Sequence, residues 1–387
     1  MGWEALTDTK SLCVDLGRPL KSKPQIIRAL HKDDLDDVAR LFQKTFRSSA
    51  AASPAVKAAL SDTFLNHPHA DDELTSQVLA DETGKVGGFI GIIPVKMVIE
   101  GRPVRAACAG SMMVEHPSEN PLAGVRLLRS FLSGPQDVSI SETANATALR
   151  MWRGLGHGPL TAYSLNWLRL LRPGAAVGAI TANVHPAGRL LKPFGKLADG
   201  VARLARIEPF RLQTANPRAP VFRDADAPEL AEALLTLATA HTLQPDWNEG
   251  TLRWLLRQAS EKPLYGKIVR RVAYEKDGSP LGAYVYYGRP GGIAWTLQLL
   301  ARPERVDATL DDMLHHAHDA GCAAIRGSGQ PWLTAPLLSR KALFLGRSFT
   351  VAHTQDAEIR RALDGGAALI SGLAGETWSP LIGNRFN

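Results

Sequence analysis

SISETANATALRMWRGLGH, residues 139–157, changes period in its middle, and that change decides how the chain is read. Val138, Ile140 and the small residues after them suit a buried strand, while Thr143 and Asn145 are residue types that cap a helix N-terminus. Ala148, Met151, Trp152 and Leu155 then recur at three- and four-residue spacing, which puts them on one helical face with Arg150 and Arg153 on the other. The spacing predicts a helix starting near Ala146 and stopped by Gly156, for which a left-handed conformation costs little.

Upstream, 25–30 (QIIRAL) reads as a strand. Leu35, Val38, Ala39, Leu41 and Phe42 follow as a helical stripe behind an acidic first turn, and a second helix is expected over 54–65. Strands are predicted at 73–81, 86–100 and 104–114. The turn-rich EHPSENPLAGVRLLRSFLSG then leads into a helix with Val125, Leu128, Phe131 and Leu132 inward. A last strand is expected at 160–168. Beyond Pro220 the pattern starts again: VFRDADAPELAEALLTLATA repeats the first strand and helix, and KIVRRVAYEKDGSPLGAYVYYG repeats a strand pair with Asp277-Gly278 as its turn. IAWTLQLLARPERVDATLDDMLHHAHDAG matches the central strand, proline turn and helix of the first copy; 323–327 and 333–345 complete the second.

Asn145, Ala148, Met151, Trp152, Leu155, Gly156 and His157 resemble the last motif of the GNAT-type (GCN5-related) N-acyltransferases, N-x-x-A-x-x-L-Y-x-x-L-G-F, and the elements on both sides stand in that superfamily's order. The resemblance implies an α/β (α+β) fold of two GNAT-like domains in tandem, each a mixed, mostly antiparallel sheet flanked by helices. The division expected is an N-terminal extension (1–24), an acyl-CoA-binding GNAT-like domain (25–170), a basic amphipathic linker (171–218), a second, degenerate GNAT-like domain (219–350) and a C-terminal tail (351–387).

The length of 387 residues suits two cores, and 45% hydrophobic with 21% charged residues is a globular composition. The longest apolar runs fall short of the ~20 residues that cross a bilayer, and the first 24 do not read as a signal peptide. Three widely spaced cysteines, Cys13, Cys108 and Cys322, point to reduced thiols and a cytoplasmic location. The net charge of +7 admits an anionic ligand, nucleic acid or an anionic membrane surface. Leu190, Leu191, Phe194, Leu197, Val201 and Leu204 against Arg189, Lys192, Lys196, Arg203 and Arg206 read as an interdomain helix packed on one domain, with a peripheral membrane or polyanion contact as the alternative.

By the resemblance, the turn after the central strand binds the pyrophosphate of acyl-CoA through backbone N–H groups at a helix N-terminus. Here it reads Pro117-Ser-Glu-Asn-Pro-Leu-Ala-Gly-Val125, with Pro121 in place of the first glycine. Val114, Leu122, Ala123, Gly124, Val125 and Arg126, with Asn145 and Trp152, are the expected donor-binding residues. Trp152 replaces the family's tyrosine, and an indole cannot protonate a departing thiolate, which leaves water or His157 for that step. The base is expected among Glu142, Glu115 and His116, at the ends of the two strands that splay in this fold. In the second copy Asp307 falls where a phosphate would sit, which disfavours CoA there. His315, His316 and His318 lack the company that a metal site requires, so no metal is expected and they are read as an exposed face.

The expectation is transfer of an acyl group from acetyl-CoA or another acyl-CoA, a co-substrate and not a resident cofactor, to an amine acceptor, with a sugar- or lipid-linked amine as one candidate. Two readings from other classes stay open: a non-catalytic GNAT-fold binding or scaffold protein, and a transferase using an aminoacyl-tRNA donor. No nucleophile elbow, Walker loop, HExxH or CxxC occurs to suggest other chemistry.

Overall fold

A computed structural model describes residues 25–47, 52–172, 176, 212, 219–346, 348–384 and 386. The expected N-terminal extension and nearly all of the basic linker lie outside the described residues. The first half runs β1 (Gln25–Ala29), α1 (Leu35–Phe46), α2 (Pro54–Phe64), β2 (Gln77–Asp81), β3 (Val86–Ile99), β4 (Arg102–Val114), α3 (Ala123–Leu132), β5 (Val138–Ala144), α4 (Ala146–Gly154) and β6 (Asn166–Leu170). The second half runs β7 (Arg223–Asp224), α5 (Ala227–Ala238), β8 (Leu243–Pro245), α6 (Glu249–Gln258), β9 (Lys267–Tyr274), β10 (Pro280–Gly288), β11 (Ile293–Ala301), α7 (Val306–Asp319), β12 (Ala324–Gly327), α8 (Thr334–Ser339), β13 (Leu343–Leu345), β14 (Phe349–Thr354) and α9 (Ala357–Asp364).

Local signals set the helices. In α1 the stripe Leu35, Val38, Ala39, Leu41 and Phe42 is buried behind Asp36 and Asp37 in the first turn. The Asn145 side chain accepts the Ala148 N–H, and Asn248, Asp226 and Asp356 cap α6, α5 and α9 in the same way. Gly156 takes φ +89° past the end of α4, and Gly278 takes φ +86° in the β9–β10 turn, where an L side chain would be strained.

Two mixed sheets result, in the orders β1-β2-β3-β4-β5-β14 and β7-β9-β10-β11-β12-β6-β13, with β8 on an end of β3. Position by position they repeat each other. In both, one parallel pair (β4–β5, β11–β12) interrupts an antiparallel ladder. The sixth strands, however, are exchanged. β6, from the first half, pairs antiparallel with β12 in the second sheet, and β14, from the second half, pairs antiparallel with β5 in the first. The sheets therefore do not divide where the sequence repeat divides: β6, expected to close the first domain, completes the second sheet. Residues expected to form a tail contain a strand of the first.

The largest apolar cluster joins the halves. Phe89, Ile93 and Met97 of β3 pack in one cluster with Leu234 and Leu237 of α5, Leu256 of α6, Val285 and Tyr287 of β10, and Leu369, Leu373 and Trp378 near the C-terminus. Smaller clusters lie beneath α7 and beneath α3 and α4. After α9 the chain runs through this shared core; among the described residues it makes one parallel bridge, Ala368 with Leu243, and one helical turn at Gly372–Ala374, and residues 367–379 are almost all buried. Buried backbone without a ladder must find other partners. The side chains that provide them make up the candidate site.

Candidate active site

β4 and β5 stay paired only over Ala106–Cys108 and Val138–Ile140, and then part. On its other side β4 shifts register against β3 between Phe89 and Gly91, which leaves one extra residue on β4, and Ser111 there holds φ +52°. A bulge with a non-glycine residue in the left-handed region is a local cost that strands carry where a side chain or an edge is re-aimed.

Into the parting comes Glu376. Its Oε1 accepts the Thr143 hydroxyl at 2.6 Å and the Thr143 N–H at 3.1 Å, and its Oε2 lies over Gly110 so closely that a Cβ there would collide with it. Burial, with a further push from the Glu142 charge against the pull of Thr143, raises this carboxyl to about 7. A carboxyl poised near neutrality is the ionisation a general base needs.

Glu142, one residue before Thr143, is 3% exposed and its oxygens are filled. They accept the N–H groups of Gly372 (3.0 Å), Glu376 (2.8 Å) and Thr377 (3.2 Å) and the Thr377 hydroxyl (3.1 Å). Desolvation outweighs these donors and raises its pKa. From the other half, the buried Lys262 ammonium donates to the carbonyls of Ser379 (2.9 Å) and Ile382 (2.6 Å) and lies 5.5 Å from the Trp295 ring centroid. Burial lowers it to about 7, with Glu142 acting against that. The buried Cys108 thiol on β4 is raised by burial and by both carboxylates.

The structure thus separates the three expected bases. Glu115 stands 2.6 Å from Arg40 and 3.6 Å from Lys44; burial pushes its pKa upward, but those cations hold it lowered, so it is a paired carboxylate. His116 holds φ +48° on the surface, 3.8 Å from Glu119. Glu142 already accepts four hydrogen bonds, all from the C-terminal segment. None of the three occupies the position of Glu376.

The expected phosphate turn forms the start of α3. Its first-turn N–H groups lack intrahelical acceptors, as at any helix start, and Ala123 gives its own to Asn120 O at 3.2 Å. Gly124 is buried, and a Cβ on it would stand 2.9 Å from Met151 Sδ, so the glycine serves the contact of α3 with α4. Leu122 is exposed, Val114 and Val125 are half-buried, and Arg126 donates to Gln25 O at 2.8 Å. Trp152 is a core residue, edge-on to Phe131 and His157 at 6.4 and 6.0 Å between centroids.

His315, His316 and His318 depart from the expected exposed face: all three are half-buried, and His316 stands 2.7 Å from the Tyr286 hydroxyl. Among the described residues no group of three or more His, Cys, Asp or Glu is arranged to hold a metal, and no helix is long and apolar enough to cross a membrane. Two surface cavities, of about 470 and 150 Å³, lie elsewhere, one lined by Arg223, Glu229 and Tyr274 and the other by Val98, Leu235 and Trp247. The candidate site rests on the chemistry of the strand parting and not on cavity size.

Sequence reasoning missed Glu376, Gly110 and Lys262, and read Thr143 as a capping residue. One signal was present for Glu376. It ends the uncharged run GGAALISGLAG (365–375), too apolar for a surface tail, so a carboxylate joined to it is buried with partners.

No protein-family model and no curated protein sequence matches the chain. Solved structures do. A conserved protein of unknown function from Enterococcus faecalis V583, described as a probable N-acyltransferase, superimposes with a TM-score of 0.54 at 10% identity over 86% of this chain and 72% of that one. A GCN5-related N-acetyltransferase from Anabaena variabilis ATCC 29413 gives 0.56 at 10% identity over 86% and 73%. One from Kribbella flavida gives 0.53 at 15% identity over 90% and 74%. At such identities the likeness establishes the fold, and the fold is the GNAT fold, present here twice.

Proposed function

From a chain that carries the GNAT fold twice, we propose an acyl-CoA-dependent N-acyltransferase whose chemistry lies in the first sheet, with Glu376 as the base. The observation that carries this reading is the Glu376 carboxyl, held by Thr143 over Gly110 where β4 and β5 part. In the proposed reaction the acceptor amine attacks the thioester carbonyl, Glu376 takes the proton that the nitrogen gives up, the new C–N bond forms and the C–S bond breaks. The thiolate leaves and is protonated from solvent, since Trp152 has no acidic proton to give. The donor runs from the parting along the open edge of β4 to the start of α3. There Leu122, Gly124 and Val125 offer N–H groups, Ala123 having given its own to Asn120 O, and Arg126 offers a positive charge to its phosphates.

Calorimetry with acetyl-CoA, and then with longer acyl-CoAs, tests the donor. Arg126→Glu is the variant to use, because a side chain at Gly124 would break the contact with Met151 and unsettle α4 as well. Binding weakened about tenfold or more by the charge reversal supports the donor path; no binding to any acyl-CoA overturns the enzyme reading in favour of a GNAT-fold binding protein. Glu376→Gln should keep donor affinity and lose about 10²–10³-fold in thiol release from acyl-CoA with an amine panel. Wild-type rate should rise with pH through about 7, because only the ionised carboxyl can accept a proton.

A further inference from the structure

We propose that Glu142 and Lys262, one from each half, are positioning residues that form a two-point clamp on the segment carrying Glu376, an inference that rests on Glu376 being the base. Between residues 372 and 382 the chain crosses the shared core without a β-ladder, so its polar backbone groups need partners from side chains. The division of labour follows charge. Glu142, an acceptor, takes the N–H groups of Gly372, Glu376 and Thr377 on the near side of the base. Lys262, a donor, takes the carbonyls of Ser379 and Ile382 on the far side. Glu376 stands between the two grips.

The geometry ties the clamp to the base more closely than to the fold in general. Glu142 bonds the N–H of Glu376 itself, and its neighbour Thr143 holds the Glu376 carboxyl. Two successive residues of β5 therefore set the backbone and the head group of the base. A Cβ on Gly375 would strike Glu142 Oε2 and one on Gly110 would strike Glu376 Oε2, so glycine lets both carboxylates approach the backbone. The titratable groups that face Glu376 are the Glu142 carboxyl from β5 and the neutral Cys108 thiol from β4.

The test reads Glu376 directly. In full-length protein labelled at the glutamate carboxyl carbons, the Glu376 resonance is identified by its absence from Glu376→Gln and followed through a pH titration by NMR. In Glu142→Gln its midpoint should fall on the order of one pH unit, because a like charge is gone and the grip is weakened. In Lys262→Met it should fall as well, because the released segment admits water. Both variants should lower kcat for thiol release and shift the pH–rate profile, with KM for acyl-CoA unchanged. If either neutral variant does not fold, Glu142→Asp and Lys262→Arg, which keep charge and change reach, take its place with the same expectations for kcat. A Glu376 midpoint and kcat that stay at wild-type values in variants with lowered melting temperature overturn the proposal and leave a purely structural contact. The titration needs no turnover, so failure of the clamp is distinguishable from failure of Glu376 as base, which Glu376→Gln alone decides.

Discussion

Glu376 reaches β4 only because residue 110 has no side chain. Gly110→Ala should therefore destabilise by about 1–3 kcal/mol in urea unfolding and abolish thiol release, since the new methyl and the carboxylate want the same space. An unchanged rate would mean that the carboxylate does its work elsewhere. A second residue-scale prediction concerns acid. His67 packs between Trp254 and Trp378 at 5.2 and 5.6 Å, its Nδ1 accepts the His69 N–H, and His69 Nδ1 in turn accepts the Lys96 N–H. Burial, helped by neighbouring positive charge, lowers the two to about 3 and about 4. Between those values and the ordinary histidine value of about 6.5 the unfolded chain binds more protons than the folded one. Stability must then fall as pH drops from about 6.5 to 4. Glu376, raised to about 7, and Glu142, raised by desolvation, bind their protons better when folded and oppose this, but burial also lowers His157, His241, His316 and His353, and the imidazoles outweigh the two carboxyls. At about 1.4 kcal/mol per tenfold difference in proton affinity the net loss is several kcal/mol. A urea midpoint that rises on acidification would refute it, and His67→Gln should flatten the slope.

At the scale of elements, α4 is the piece most fully determined by its own sequence. The Asn145 side chain accepts the Ala148 N–H at 2.9 Å, so Asn145→Ala should cost about 1 kcal/mol in chemical denaturation and leave the Glu376 titration in place. No loss would mean that packing of Trp152 alone fixes the helix. Elements of this kind were legible in the residues: the α1 stripe, the α4 cap and stop, the Asp277-Gly278 turn and the doubled order of strands all follow from local spacing. The pairing of β6 and β14 was not, because alternation says which face of a strand is buried and nothing about which strand lies beside it. α6 was overlooked, although Asn248 caps it as Asn145 caps α4. Glu142 was read as a candidate base from its place at a strand end, and the structure surrounds its carboxylate with donors of the C-terminal segment. Its donors come from more than 200 residues downstream, a relation that no local pattern encodes.

For the whole molecule the exchange of sixth strands makes the two halves one folding unit. A fragment ending at residue 172 keeps β6 without its sheet and exposes the edge of β5; one beginning at 219 has β14 without β5 and exposes β12. Open edges of this kind aggregate or stay unfolded. Expressed alone, each fragment should lack a cooperative urea transition, and refolded together they should recover one as a heterodimer. A sharp transition in either fragment alone would show that its own sheet suffices. The same exchange sets a timetable at the ribosome. β5 is synthesised about 200 residues before β14, which at roughly 5–20 residues per second is a delay on the order of 10–40 s. Throughout that interval the nascent first sheet presents an unpaired edge and an unfilled core, which makes this chain a natural client of chaperones that shield strands until translation ends.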